Sequence, residues 1–175
     1  MLLDIIEFDK LKRGAIHALA MLLVIGIQTQ IISHVTVFGV RAMFVPAAVV
    51  AIGMLEGGVY GALMGLFAGL FTDGAFAENT TLFTMLFPII GMLSGVLAES
   101  FVNKRYFSYL FMSVAALALT AFCQMFGLLV FRGANPIDLL ITAGLQVLWS
   151  VPLAAVVYFP YRALAKGGGS RIKGQ

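Results

Sequence analysis

The side chains able to do chemistry in this chain are few and widely separated. The acids Glu56, Asp73 and Glu99 stand alone at the edges of apolar runs, and the histidines are His17 and His34. Cys123 is the only cysteine and sits in an apolar run as a small hydrophobe, which excludes a disulfide framework and a thiolate-rich metal site. His17 and His34 are too far apart to share a site on one helix, and neither shows metal-ligand spacing. No nucleophile with an adjacent base, paired-carboxylate site, Gly-Lys-Ser/Thr phosphate loop or His-Glu-x-x-His helix is present. The pattern therefore points away from an enzyme, and no cofactor or metal is expected.

What remains is polar chemistry in apolar surroundings. Gln28 and Gln30 fall late in the first apolar run, where they must hydrogen-bond within a bundle or reach water. Arg41 precedes a short apolar stretch, from which it can snorkel to an interface. Asp73 ends another stretch, where a helix cap or a solvated loop carboxylate are both open. Glu56 and Glu99 lie at turns and are expected to be solvated.

These residues need a scaffold, and the composition says which kind. Of 175 residues 61% are hydrophobic and 11% charged, with a mean hydropathy of +1.02. So few polar side chains cannot cover a water-exposed surface, so an all-α integral membrane protein is expected. The excess of positive charge has no interleaved basic and aromatic stripe, so nucleic acid is not an expected partner.

Hydropathy divides the chain into six apolar runs: 14–37, 42–55, 57–72, 82–98, 107–131 and 139–159. None contains Asp, Glu, Lys or Arg. The second and third reach only ~21 to 24 Å at ~1.5 Å per residue, so they read as a hairpin of short helices broken at Glu56-Gly57-Gly58. Pro88 predicts a kink in the fourth. Residues 1–13 read as an interfacial lead-in and 163–175 as a flexible basic tail, leaving one transmembrane domain over 1–162. With six passes, nine of the 11 Lys and Arg residues fall on the side of the termini, leaving Arg41 and Arg132 opposite. The positive-inside rule then makes both termini cytoplasmic, in a multi-pass protein of the cytoplasmic membrane.

The most regular motif is a glycine stripe: Gly57, Gly61, Gly65 and Gly69 recur every four residues. Such spacing lets a second backbone approach closely, either within this chain or from a partner helix. Gly91, Ser94 and Gly95 repeat it more weakly, and the two stripes are candidates to face each other.

The order of these features resembles the MreD family of rod shape-determining membrane proteins. The resemblance rests on Gln28 and Gln30 in the first helix, Phe38-Gly39-Val40-Arg41 before a short second helix, and the glycine-rich run Tyr60 to Asp73. Ile89 to Leu97 and Pro152 in the last helix also fit. Ala42, where family members usually carry proline, and the loop Glu78-Asn79-Thr80-Thr81 depart from it. The resemblance implies a compact six-helix bundle like the substrate-binding subunits of energy-coupling factor transporters. It also implies a non-enzymatic scaffold in the cell-wall elongation complex. Its implied partners are the bitopic scaffold MreC, the elongation transpeptidase and glycosyltransferase and, indirectly, actin-like filaments. The alternative is a vitamin-binding transporter subunit of the same fold, with Gly14 and Ala18 as a docking pair and Asp73, Asn79, Thr80 and Thr81 as candidate ligand contacts.

Overall fold

A computed structural model describes residues 2–30, 36–37, 40–75, 81–100, 106–132 and 135–169. Among these residues the chain forms six helices: α1 (Leu2–Gln30), α2 (Val45–Glu56), α3 (Gly58–Ala75), α4 (Leu82–Ser100), α5 (Tyr106–Arg132) and α6 (Pro136–Gly169). A minimal antiparallel ladder, β1 (Thr36–Val37) with β2 (Val40–Arg41), pairs Thr36 with Arg41 and Val37 with Val40.

Segments of α4, α5 and α6, namely Leu82–Ser100, Tyr106–Phe126 and Pro136–Ala163, are long and apolar enough to cross a membrane. Their exposed faces carry large apolar side chains such as Met85, Phe107, Phe111, Leu140 and Leu148, which suits lipid contact and would be costly in water.

Several boundaries differ from the sequence expectation. The acidic and basic lead-in is helical and continuous with α1, since alternating charges do not prevent backbone hydrogen bonding. Thr36 and Val37, expected at the end of the first helix, are extended and paired, in keeping with two β-branched residues in a short ladder. The last helix runs on to Gly169, so the start of the expected tail belongs to α6, and 170–175 lie outside the described residues. Pro88 lies within α4, with helix on both sides of it.

The centre of the fold is α2. Every residue from Val45 to Met54 is buried, and the helix packs against each of the other five. At 12 residues it spans ~18 Å, short of the ~30 Å hydrocarbon layer, so it is an apolar core element sheathed by longer helices. Gly57, at φ +104°, ends it in a conformation that glycine adopts without steric cost. The chain then reverses into α3, whose tightest neighbour is the antiparallel α4.

Candidate functional site

Burying α2 on all sides raises an immediate problem. The first N–H groups of a helix have no partner within it, and water does not reach them here. The structure satisfies each from another helix or by local geometry. The Met43 N–H donates to Ser150 Oγ of α6 at 2.9 Å. The Phe44 and Val45 N–H groups both donate to Gln28 Oε1 of α1, at 2.9 and 3.0 Å. Pro46 has no N–H to satisfy, and the Ala47 N–H donates to Phe44 O at 3.0 Å. Gln28, 2% exposed, is thus the cap of α2, supplied by a different helix.

Behind this cap lies a chain of polar contacts between α5 and α6. Ser150 Oγ donates to Gln146 O at 2.6 Å, Gln146 Nε2 donates to Gln124 Oε1 at 3.2 Å, and Gln124 Nε2 approaches Met43 Sδ at 3.7 Å. The α5–α6 seam closes further along through Tyr109, whose hydroxyl donates to Ala154 O at 2.7 Å and whose ring lies 4.7 Å from that of Tyr158.

Asp73 plays a comparable part for α4. Its Oδ1 accepts from the Phe83 N–H at 3.2 Å, and its Oδ2 accepts from the Thr84 N–H at 2.7 Å and the Thr84 hydroxyl at 2.6 Å. A carboxylate at the positive end of a helix is favoured by the helix dipole as well as by the orphan donors. The cap therefore reaches from the last turns of α3 to the first turn of α4, across the loop that joins them. Of the two openings left by the sequence, a helix cap is the one observed.

The glycine stripe faces α4. An added Cβ at Gly61 would stand 2.5 Å from Gly91 O and 2.6 Å from Gly53 Cα. At Gly65 it would stand 2.7 Å from Phe87 C, and at Gly69 2.6 Å from Thr84 Cα. In return, Gly91 would press on Gly61 O and Gly95 on the Gly58 N–H. Gly57 stands at the end of this face, with Gly95 pressing on its carbonyl carbon at 2.6 Å, and also serves as the break between α2 and α3. Gly53 is a member that sequence reading passed over. It would meet Gly91 O and Ser94 Oγ, and it lies on the same four-residue spacing, one step before Gly57. Three backbones converge at Gly53, Gly61 and Gly91. The opposite face of α3, with Val59, Leu63, Leu66 and Leu70, is exposed.

Glu56 corrects the expectation of a solvated turn. Its carboxylate is 11% exposed and lies 3.6 Å from Nε2 of His17, itself 2% exposed. Tyr60 meets the imidazole edge-on at 5.8 Å, and Tyr161 stacks on it at 6.4 Å. Glu99 is exposed, as expected. The Gly14 of the proposed docking pair faces inward, with its added Cβ 3.4 Å from Tyr60 Oη.

Gln30 is exposed at the end of α1. For Arg41 only the backbone is described, as the partner of Thr36 in the ladder. His34, Asn79 and Thr80 lie outside the described residues. No group of three His, Cys, Asp or Glu side chains suited to a metal occurs among the described residues.

Two grooves of about 640 Å³ flank the second half of α5. One opens between α5 and α6 over Ala118, Ala121, Ala143 and Gly144, and the other between α4 and α5 past Met85, Ile89 and Cys123. Phe122 and Phe126 line both; the walls of the first are almost wholly apolar and those of the second mostly so, with Thr81 among them. Such walls take hydrocarbon and offer little to a polar solute.

The chain matches no family model, no curated protein and no solved structure.

Proposed function

We propose that the chain is a membrane scaffold that works by helix docking. In this reading it is a bundle of six membrane-embedded helices with both termini in the cytoplasm, as the bias of positive charge supports. The observation that carries it is the use made of polar groups. Gln28, Asp73, Ser150 and Tyr109 each tie one helix to another, while the outer grooves and exposed faces are apolar. A rigid core of this kind presents apolar helix faces to the bilayer and to the anchors of other proteins.

The resemblance of the sequence to the MreD family gives this scaffold its proposed setting. There it is a subunit of the cell-wall elongation complex, holding an MreC-like bitopic scaffold and the elongation transpeptidase and glycosyltransferase, and reaching actin-like filaments through them. Partners bind on this reading through the exposed apolar faces, because the glycine stripe is already occupied by α4. The test is co-purification from native membranes with identification of the bound proteins, paired with depletion in the cell. Recovery of an MreC-like protein and rounding of cells without a nutrient requirement are expected. A tightly bound vitamin in the purified protein, with a vitamin requirement on depletion, overturns the reading in favour of a transporter subunit.

A further inference from the structure

We infer that the groove between α5 and α6 seats an acyl chain of a phospholipid whose headgroup carries net negative charge. The groove runs beside Val114 to Leu129 of α5 and Pro136 to Val151 of α6, which at ~1.5 Å per residue makes it ~22 Å long. Both helices contribute segments long and apolar enough to cross a membrane. One leaflet supplies ~15 Å of the ~30 Å hydrocarbon layer, so a chain entering at the Leu129 and Pro136 end has apolar wall along its whole depth.

The size of the groove selects its occupant. Its volume of about 640 Å³ lies within the ~300–1,000 Å³ span of ligand sites. A helix ~10–12 Å across fills on the order of 2,000 Å³ over the same length, so the groove takes a slender hydrocarbon chain whole and a helix only by its edge. Gly144 belongs to its wall, and a methyl group added there would meet nothing within 4 Å. Unlike Gly61 and Gly91, this glycine packs on no neighbouring backbone, and the side chain it lacks leaves open space in the groove.

Charge selects the headgroup. Arg132 is the last residue of α5 and stands seven positions after Met125 and three after Leu129, both of which line the groove. Those spacings put position 132 on the groove face of the helix. Asp138, in the first turn of α6, stands two positions from Pro136 and two from Leu140, both groove residues, and so falls on the opposite face. Its carboxylate is exposed and accepts from Asn135 Nδ2 at 3.4 Å. The helix positions thus set a cation above the groove and an acid away from it. An apolar slot below a guanidinium complements a lipid with a phosphate headgroup of net negative charge.

The experiment places the full chain in nanodiscs of equal phosphatidylglycerol and phosphatidylcholine, releases it into detergent, and counts retained lipid by native mass spectrometry. One retained phospholipid is expected, with phosphatidylglycerol enriched about fivefold. Gly144→Leu, and from the other wall Ala118→Leu, should each lower retention about tenfold without lowering the unfolding midpoint. Arg132→Gln should keep the lipid and lose the preference for phosphatidylglycerol. A chain that retains no lipid overturns the proposal, as does a second copy retained in its place. Undiminished retention in both groove-filling variants, or an unchanged preference in Arg132→Gln, overturns it equally. The measurement involves no partner protein, so its outcome is independent of the scaffold reading.

Discussion

Gly61→Ala adds one methyl group at the point where three helices meet, and the structure sets its cost. The new carbon would lie 2.5 Å from Gly91 O and 2.6 Å from Gly53 Cα, whereas carbon contacts settle at about 3.5–4.0 Å. Relief needs about 1 Å of separation, and both obstacles are backbone atoms that no rotamer change can move. Overpacking ordinarily costs about 1–3 kcal/mol, and with rigid obstacles on α2 and α4 the upper end applies. Alanine recovers up to about 1 kcal/mol through its better helix propensity, leaving a net loss of about 2 kcal/mol. Gly144→Ala is the matched control: nothing lies within 4 Å of its added methyl, so only the propensity gain of up to about 1 kcal/mol applies. The same chemical change should therefore differ by about 3 kcal/mol between the two sites. Equilibrium unfolding in mixed micelles reads this directly. Equal unfolding midpoints for the two variants, or a Gly61→Ala protein as stable as the unaltered chain, would refute a backbone-to-backbone seam at α3 and α4.

Gln28→Leu should lower stability by about 2–4 kcal/mol in the same assay, since it strands two buried N–H groups. Gln28→Glu keeps an acceptor oxygen for those donors, so its loss should be the smaller of the two if it is made at low pH. Asp73→Ala removes the acceptor for two N–H groups and a hydroxyl at the start of α4, and about 1–2 kcal/mol should be lost. Exchange protection should fall first at Phe83 and Thr84; a uniform fall along the whole of α4 contradicts a local cap. Tyr109→Phe keeps the ring against Tyr158 and removes the bond to Ala154 O, for a loss of about 1 kcal/mol by thermal unfolding.

Much of the helical layout is legible in the sequence because it depends on local properties. Long apolar runs name the helices, and Glu56-Gly57-Gly58 marks the break at which α2 ends, because glycine alone relaxes at φ +104°. The spacing of Gly61, Gly65 and Gly69 announces a close helix approach, and Gly91 and Gly95 supply the matching face. The helical lead-in was not legible, because its apolar residues fall on no single side and mixed charges suit a helix and a coil equally well. The short ladder at Thr36–Arg41 was hidden inside what reads as the end of an apolar helix.

The polar side chains divide along the same line. That Gln28 needs a hydrogen-bonding partner inside a bundle follows from its place in an apolar run, and hydropathy alone sets that requirement. That the partner is the start of α2 follows only from folding, which brings Phe44 and Val45 to a residue sixteen and seventeen positions away and leaves their N–H groups without water. Glu56 looks solvated because it stands at a turn, and it is sealed because α1 and α6 close over that turn. Composition and spacing determine which groups must be satisfied and where backbones approach closely. Tertiary structure alone decides which group satisfies which, since burial is a property of the neighbours a residue acquires and not of the residue itself.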